Sequence, residues 1–201
     1  MKGLFILGFS LITLAVNQLS ALAQTRQPTN AELRRLRQEL QQLINSTKKN
    51  RAIHIQDGRN QAEKQARESF VHAWSKVEPG LAPFFGWWWG YEDTRYIYPS
   101  NTKGHVCVIS SSEGYGSFAT GILSNGVIQT SRGEVLLKEG AYLGSALLDK
   151  GRFVRNNDIP FNSPRPLEPL TKLEISDSQQ KNTISQQFNA AGCTNLKPVK
   201  R

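Results

Sequence analysis

The sequence predicts an α+β protein: N-terminal helices, then an antiparallel β-meander forming a small barrel or curved sheet, and a short C-terminal helix. Two patterns carry this prediction. Apolar residues recur at three- and four-residue steps in the N-terminal third of the chain. From residue 95 onward, short runs rich in branched and aromatic residues alternate with glycine-containing turns. Strands so closely spaced along a chain can pair only as antiparallel neighbours.

The first 23 residues have the pattern of a secretory signal peptide. Lys2 supplies the positive charge, residues 3–16 are apolar, and Ala21-Leu22-Ala23 is a small-residue cleavage site. The apolar run is shorter than the roughly 20 residues that a spanning helix needs. We therefore expect cleavage after Ala23 and an exported protein, periplasmic or extracellular.

Residues 24–57 are predicted to form an amphipathic, basic helical arm. Its helix covers 29–45, where Thr29 and Glu32 have the spacing of a capping box. Leucine and isoleucine recur there at heptad spacing, which is compatible with packing on the chain's own domain or with self-association through 29–45. The excess of Lys and Arg in the arm points to an anionic envelope surface as a partner, although a solvated helix face explains the same charge.

Residues 58–193 are predicted to form a helix and an antiparallel β domain with a closing helix. The helix runs over 59–77, with Asp57 as its cap, and ends at Pro79-Gly80. Asn125-Gly126 is the strongest hairpin signal, because both residues tolerate the positive φ of a type I′ turn. The predicted strands are short and evenly spaced: 95–98, 106–110, 117–123, 127–130, 134–138, 142–148 and 152–155.

The C-terminal part closes the domain. Residues 156–169 contain four prolines and are expected to form a strap over the sheet, and residues 170–175 a last strand. Ser178 is the expected cap of a helix that ends near Gly192. Residues 194–201 are predicted to be a flexible tail.

Two cysteines, Cys107 and Cys193, remain after the signal peptide. In an oxidising compartment an even pair predicts one disulfide, which would pin the end of the closing helix to a strand. Two buried free thiols, or a reactive Cys107 next to His105, are the alternatives.

An aromatic cluster at 84–91 holds three of the four tryptophans. Successive side chains of a strand alternate between its faces, so Trp88 should point one way and Trp87 and Trp89 the other. Either the helices cover the second face, or it is an exposed contact surface. The residues that we expect to contact a ligand or partner are Trp87, Trp88, Trp89, Tyr91, Tyr96 and Tyr98.

The segment 81–90 resembles the opening of the calycin barrels, the lipocalin and fatty-acid-binding group, through Gly86-Trp87-Trp88. In that group a Gly-x-Trp on the first strand lays tryptophan across the barrel floor, which would make Trp88 the plug. The resemblance implies a cup for a small apolar molecule, or a barrel reused for protein contact. No histidine follows His105, so the resemblance does not extend to the haem-binding relatives.

The sequence presents no recognisable catalytic, metal-binding or cofactor motif. The glycines at 114–121 lack the lysine of a phosphate loop, and Ser110-Ser111-Ser112 lies in no nucleophile elbow. No aromatic residue interleaves with the bases before Phe70, which argues against nucleic acid. We therefore expect a secreted, non-enzymatic binding protein that holds an apolar ligand or an envelope protein. The alternatives are an envelope-associated structural protein with a polymer-binding arm, and a hydrolase with an unrecognised site.

Overall fold

A computed structural model describes residues 26–50 and 57–198, so the predicted signal peptide and His54 lie outside the described residues. The helices are α1 (Asn30–Lys49), α2 (Gln61–Ser75) and α3 (Ser178–Ala190). The strands are β1 (Gly86–Trp89), β2 (Asp93–Pro99), β3 (His105–Ser112), β4 (Tyr115–Ser124), β5 (Val127–Thr130), β6 (Glu134–Glu139), β7 (Tyr142–Asp149), β8 (Arg152–Arg155) and β9 (Asn162–Arg165). Two N-terminal helices, an antiparallel meander and a C-terminal helix confirm the predicted fold class.

The strands form one antiparallel sheet in the order β8-β7-β6-β5-β4-β3-β2-β1-β9, curled into a half-barrel. Consecutive strands are neighbours from β1 to β8, as expected when short turns connect them. The last strand returns to pair with β1, and an isolated bridge between Phe161 and Leu143 links the segment before β9 to β7. The segment that leads into β9 therefore connects β1 to β7 across the open side of the half-barrel.

The hairpin turns follow the glycine signals. Asn125 and Gly126 both have positive φ, of 51° and 73°, as the type I′ prediction requires. Lys150 and Gly151 repeat the geometry with φ of 44° and 78°. The turn at Glu113-Gly114, with φ of 49° and 83°, was not expected from the sequence.

The interior of the half-barrel is filled by side chains. Trp88 has no exposed surface and is one of a set of buried apolar residues contributed by the strands, the segment after α2 and the segment before β9. On the sheet this set includes Ile97, Val108, Ile128, Leu136 and Leu143, with Phe161 at the closing bridge. At one end Phe85 contacts the rings of Phe70 and Trp74 from α2.

The first helix packs on the outer face of the sheet. Thr29 and Glu32 form the predicted capping box. The buried face of α1 covers Val127, Val135, Leu137, Ala146 and Phe153, and consists of Leu33, Leu36, Leu40 and Ile44. The apolar face considered for self-association is therefore buried against the chain's own sheet.

Arginines of this arm also donate hydrogen bonds to the edge strand β8 and to the turn before it. Arg26 donates to the carbonyl of Gly151 at 2.6 Å, and Arg35 donates to the carbonyl of Phe153. At the other edge Arg59 donates to the carbonyl of Pro164 in β9 at 2.9 Å. Free carbonyls on edge strands are templates for pairing with another chain, and these side chains block part of both edges.

The last helix covers the outer face near β2 to β4. Ile184 and Phe188 pack there against Tyr96, Tyr98 and Ile109. The predicted disulfide between Cys107 and Cys193 is confirmed, and it joins β3 to the end of α3. Gly192 follows the helix with φ of 64°.

Three boundary predictions were wrong. The cap of α2 is Asn60, which forms a capping box with Glu63, because Asp57 instead pairs with Arg59. Asp177, not Ser178, caps α3. Residues 170–175 form no strand: Leu170–Lys172 is a 3₁₀ turn, and the amide of Ile175 bonds locally to the carbonyl of Leu173.

The predicted strap is partly a strand. Residues 162–165 pair with β1, which Pro164 allows because β9 is an edge strand that needs no donor on its free side. Residues 194–197 contact the body of the protein: the amide of Thr194 donates to the carbonyl of Pro99, and the Trp74 indole donates to that of Leu196. Within the described ranges, no helix has the length and apolarity required to cross a membrane.

Candidate functional site

The three tryptophans of β1 occupy two sides of the sheet. Trp88 points into the filled interior, where its indole donates to the carbonyl of Phe84 at 2.6 Å. The Arg67 guanidinium lies over the Trp88 ring and donates to the carbonyls of Phe85 and Pro83. Burial, aided by the positive charge of Arg59, lowers the pKa of Arg67 to about 10. The indole N–H of Trp88 therefore has a partner in Phe84, and its ring is covered by Arg67, so neither is free to contact a ligand.

Trp87, Tyr96 and Tyr98 are covered on the outer face. Trp87 stacks on Tyr96 with ring centroids 5.7 Å apart, and Arg165 lies 5.3 Å over Trp87. Tyr98 donates to the carbonyl of Glu168 and meets the ring of Phe188 edge-on. Burial raises the pKa of Tyr96 to about 12, and burial also raises the pKa of Tyr98. Tyr96 and Tyr98 are therefore buried in the contact with α3, while Trp87 is half-buried beside them.

Trp89 and Tyr91 are exposed, by 38% and 68% of their surface. Trp89 ends β1, and Tyr91 lies in the tight turn to β2, which the hydrogen bond from the Gly90 amide to the Asp93 carbonyl closes at 2.8 Å. Both line a cleft of about 510 Å³, together with Glu92, Glu113 and Glu174. The six residues of the predicted contact set are thus divided, and only this aromatic pair faces solvent extensively.

The far wall of the cleft is the segment 173–176, which lies against the β3–β4 hairpin. The Ser176 amide donates to the carbonyl of Gly114 at 2.9 Å. A Cβ atom on Gly114 would come within 2.4 Å of the Ser176 hydroxyl, and one on Gly116 within 2.5 Å of Ile175. Two positions without side chains therefore let this segment approach the sheet closely enough to form the wall.

A second cleft of about 270 Å³ lies beside the same β1–β2 turn. Tyr91 and Glu92 line both clefts, and the second adds Asp93 and Asp158. Its remaining lining includes the segment 156–159 and Phe161, which belongs to the closing bridge of the half-barrel. The turn from β1 to β2 is therefore a ridge with a cleft beside it on two sides.

The carboxylates of the two clefts form what we term the acidic rim: Glu92, Asp93, Glu113, Asp158 and Glu174. Within the described ranges, none of them forms an ion pair or a side-chain hydrogen bond. Of the other described acidic side chains, all but Glu68 and Asp149 form an ion pair or accept a hydrogen bond. None of the described residues that line the clefts is Lys, Arg or His. This is notable in a chain whose net charge is +9.

The hydroxyl groups in the larger cleft are partly engaged. Thr94 donates to the carbonyl of Ser111 at 3.3 Å, and Ser111 donates to that of Glu174 at 3.2 Å. Among the described residues, no three His, Cys, Asp or Glu side chains are grouped so as to hold a metal ion. The cleft therefore offers two aromatic surfaces and a surplus of hydrogen-bond acceptors.

The sequence singled out Trp89 and Tyr91 but missed most of the residues around them. Glu113 and Gly114 are recognisable in retrospect as a turn of positive φ. Glu174 and Ser176 carry no local signal, because only the tertiary contact with the hairpin places them here.

Comparison with known proteins adds no family assignment. The chain has no significant match among protein-family models, curated protein sequences or solved structures. The calycin resemblance is therefore retained only in its coarser form, a curled antiparallel sheet of nine strands.

Proposed function

We propose that this protein is a non-enzymatic binding module that engages a partner protein through Trp89 and Tyr91. The observation that carries the proposal is the exposure of this aromatic pair at the mouth of a cleft, while the other aromatic side chains of the cluster are covered. Large aromatic side chains exposed next to a concave surface are typical of protein contact sites.

A partner at the surface is favoured over an apolar molecule inside the sheet. Trp88 and its neighbours fill the interior, so an internal ligand would have to displace packed side chains. Such displacement is unfavourable because protein interiors are packed as densely as organic crystals. The rim cleft needs no such rearrangement.

We further propose that the protein acts outside the cytoplasm. Two independent features support this: the signal-peptide pattern of residues 1–23 and the disulfide between Cys107 and Cys193. Disulfides of this kind persist in oxidising compartments and are rare in the cytosol.

The proposal can be tested with a displayed library of random peptides selected on the folded, disulfide-bonded protein. Peptides recovered on the wild type are then measured on W89A/Y91A and on Y115A. Tyr115 is a suitable control because it is as exposed as Tyr91 and does not line either cleft. We expect about tenfold weaker binding to W89A/Y91A, as when a central aromatic contact is truncated, and no change with Y115A.

Two results would contradict the proposal. Selected peptides that bind W89A/Y91A as tightly as the wild type would show that the aromatic pair is not the contact surface. A fatty acid or pigment that binds the wild type and W89A/Y91A equally, and changes the Trp88 indole NMR signal, would place the ligand in the interior.

A further inference from the structure

We infer that the rim takes a cationic ligand: an extended segment of a partner protein that carries lysine or arginine side chains. This inference rests on the proposed function and specifies the chemistry of its partner. It depends on the composition of the two clefts, on their hydrogen-bonding capacity and on their arrangement about the β1–β2 turn.

The acidic rim is electrostatically suited to a cation. The carboxylates of the acidic rim have no cationic partner within the described part of the chain, and no basic side chain lines either cleft. Two basic groups border the clefts, but each is bound to a main-chain carbonyl: Lys181 donates to Leu173, and Arg155 donates to Asn157. Neither forms an ion pair with a carboxylate of the acidic rim. A positive group is therefore attracted at this location although the protein as a whole is basic.

The larger cleft also has more hydrogen-bond acceptors than donors. Carboxylates only accept hydrogen bonds, and ammonium and guanidinium groups only donate them. Thr94 and Ser111 already use their hydroxyl protons on main-chain carbonyls. The hydroxyls of Tyr91, Ser112 and Ser176 also line the cleft, so a sugar is not excluded by a lack of donors. The three carboxylates nevertheless favour a positively charged lysine or arginine side chain over a neutral sugar.

The aromatic pair is suited to the same kind of side chain. Trp89 and Tyr91 present ring surface in the same cleft as three carboxylates. The face of an aromatic ring attracts a cation, most strongly that of tryptophan, and also packs against the methylene stem of lysine or arginine. The same cleft therefore suits both the charged head and the apolar stem of such a side chain.

The arrangement of the clefts favours a peptide over a single small cation. Tyr91 and Glu92 belong to both clefts, so a chain that crosses the β1–β2 turn can place one cation in each. A small cation would occupy only one. An extended segment with separated basic residues uses the whole rim.

The experiment is a titration of the isotope-labelled, disulfide-bonded protein, followed by NMR, with short peptides that differ only in their charged positions. The positions carry lysine, arginine, glutamine or glutamate, and spermine and chitotriose serve as non-peptide probes. The variants are E92Q/E113Q/E174Q for the rim and E68Q/D149N as the matched control, since those two carboxylates are also unpaired but lie outside the clefts.

We expect the lysine and arginine peptides to bind at least about tenfold more tightly than the glutamine peptide, because several charge pairs of modest strength act together. The rim variant should bind the lysine and arginine peptides about tenfold more weakly than the wild type, and the control variant should bind them as tightly as the wild type. Affinity should also fall as salt is added, and the shifted signals should include those of Trp89 and Tyr91.

The remaining outcomes would overturn the inference. Equal binding of glutamine or glutamate peptides, or preferential binding of chitotriose, with sensitivity to W89A/Y91A, would refute the cationic chemistry and leave the proposed function in place. Binding of spermine without the peptides would refute a polypeptide ligand. If every probe binds W89A/Y91A and the wild type alike, the proposed function itself fails.

Discussion

Removing Glu134 should destabilise the protein strongly, because Arg95 would keep a buried charge without a counterion. The two side chains are 8% and 10% exposed and meet at 3.0 Å between Arg95 Nε and Glu134 Oε1. The same carboxylate oxygen accepts from the Ser145 hydroxyl at 2.6 Å, and the guanidinium lies 5.0 Å over the ring of Phe161. The pair thus joins β2 to β6 and β7 inside the half-barrel.

The expected magnitude follows from this burial. Breaking a buried ion pair by removing one partner costs about 3–5 kcal/mol of folding free energy. For a protein of this size, each kcal/mol lowers the melting temperature by about 2–4 °C. Glu134→Leu should therefore lower it by roughly 6–20 °C.

The assay is equilibrium unfolding in urea, followed by circular dichroism, with a thermal scan as a second measurement. Glu168→Leu is the control, because its pair with Lys172 is exposed and such pairs contribute at most about 1 kcal/mol. The double variant R95M/E134L should recover much of the lost stability, since it removes the uncompensated charge as well. If Glu134→Leu stayed within about 1 kcal/mol of the wild-type unfolding free energy, or if the double variant were no more stable than the single one, the buried pair would not have the predicted role.

Three further predictions concern the disulfide, a buried tyrosine and the rim. Replacing Cys107 and Cys193 by alanine should lower the free energy of unfolding in urea by about 4–5 kcal/mol, because the disulfide closes a loop with a sequence separation of 86 residues. An unchanged free energy of unfolding would contradict this prediction. Because burial raises the pKa of Tyr96 to about 12 from 10.0, the folded state holds this proton more tightly. The resulting stability is complete below pH 10 and lost as the pH rises towards 12. The Y96F variant should lose less of its unfolding free energy between pH 10 and 12 than the wild type. An identical loss in both proteins would contradict the predicted contribution of Tyr96. Trp89, the most exposed tryptophan, should be quenched less by caesium and more by iodide in E92Q/E113Q/E174Q than in the wild type; equal quenching would argue against a negative field at the rim.

Local patterns were sufficient for much of the fold. Capping boxes, glycine turns and alternating apolar residues are determined by nearby residues, so the helices and most of the meander could be predicted. The disulfide followed from the cysteine count and the expected compartment. Residues 162–165 could not be assigned as a strand, because Pro164 and the prolines around it are tolerated only through pairing with the distant β1.

The candidate site was harder to predict for the same reason. Strand alternation correctly separated Trp88 from Trp87 and Trp89, but it could not show that α3 and Arg165 cover Trp87 while Trp89 stays exposed. Residues 170–175 were predicted to form a last strand, and the apolar Leu173 and Ile175 alternate with polar neighbours there. Their side chains are indeed buried, while the backbone follows the β3–β4 hairpin as the wall of the cleft.

The position of a bound basic peptide on the protein would show directly whether the acidic rim is the binding surface. Intermolecular nuclear Overhauser effects can be measured between the lysine side-chain methylenes of the peptide and the protein. We expect contacts to the Trp89 indole and the Tyr91 ring. Contacts to interior residues such as Ile97 and Leu136, or to the exposed face of α1, would contradict it.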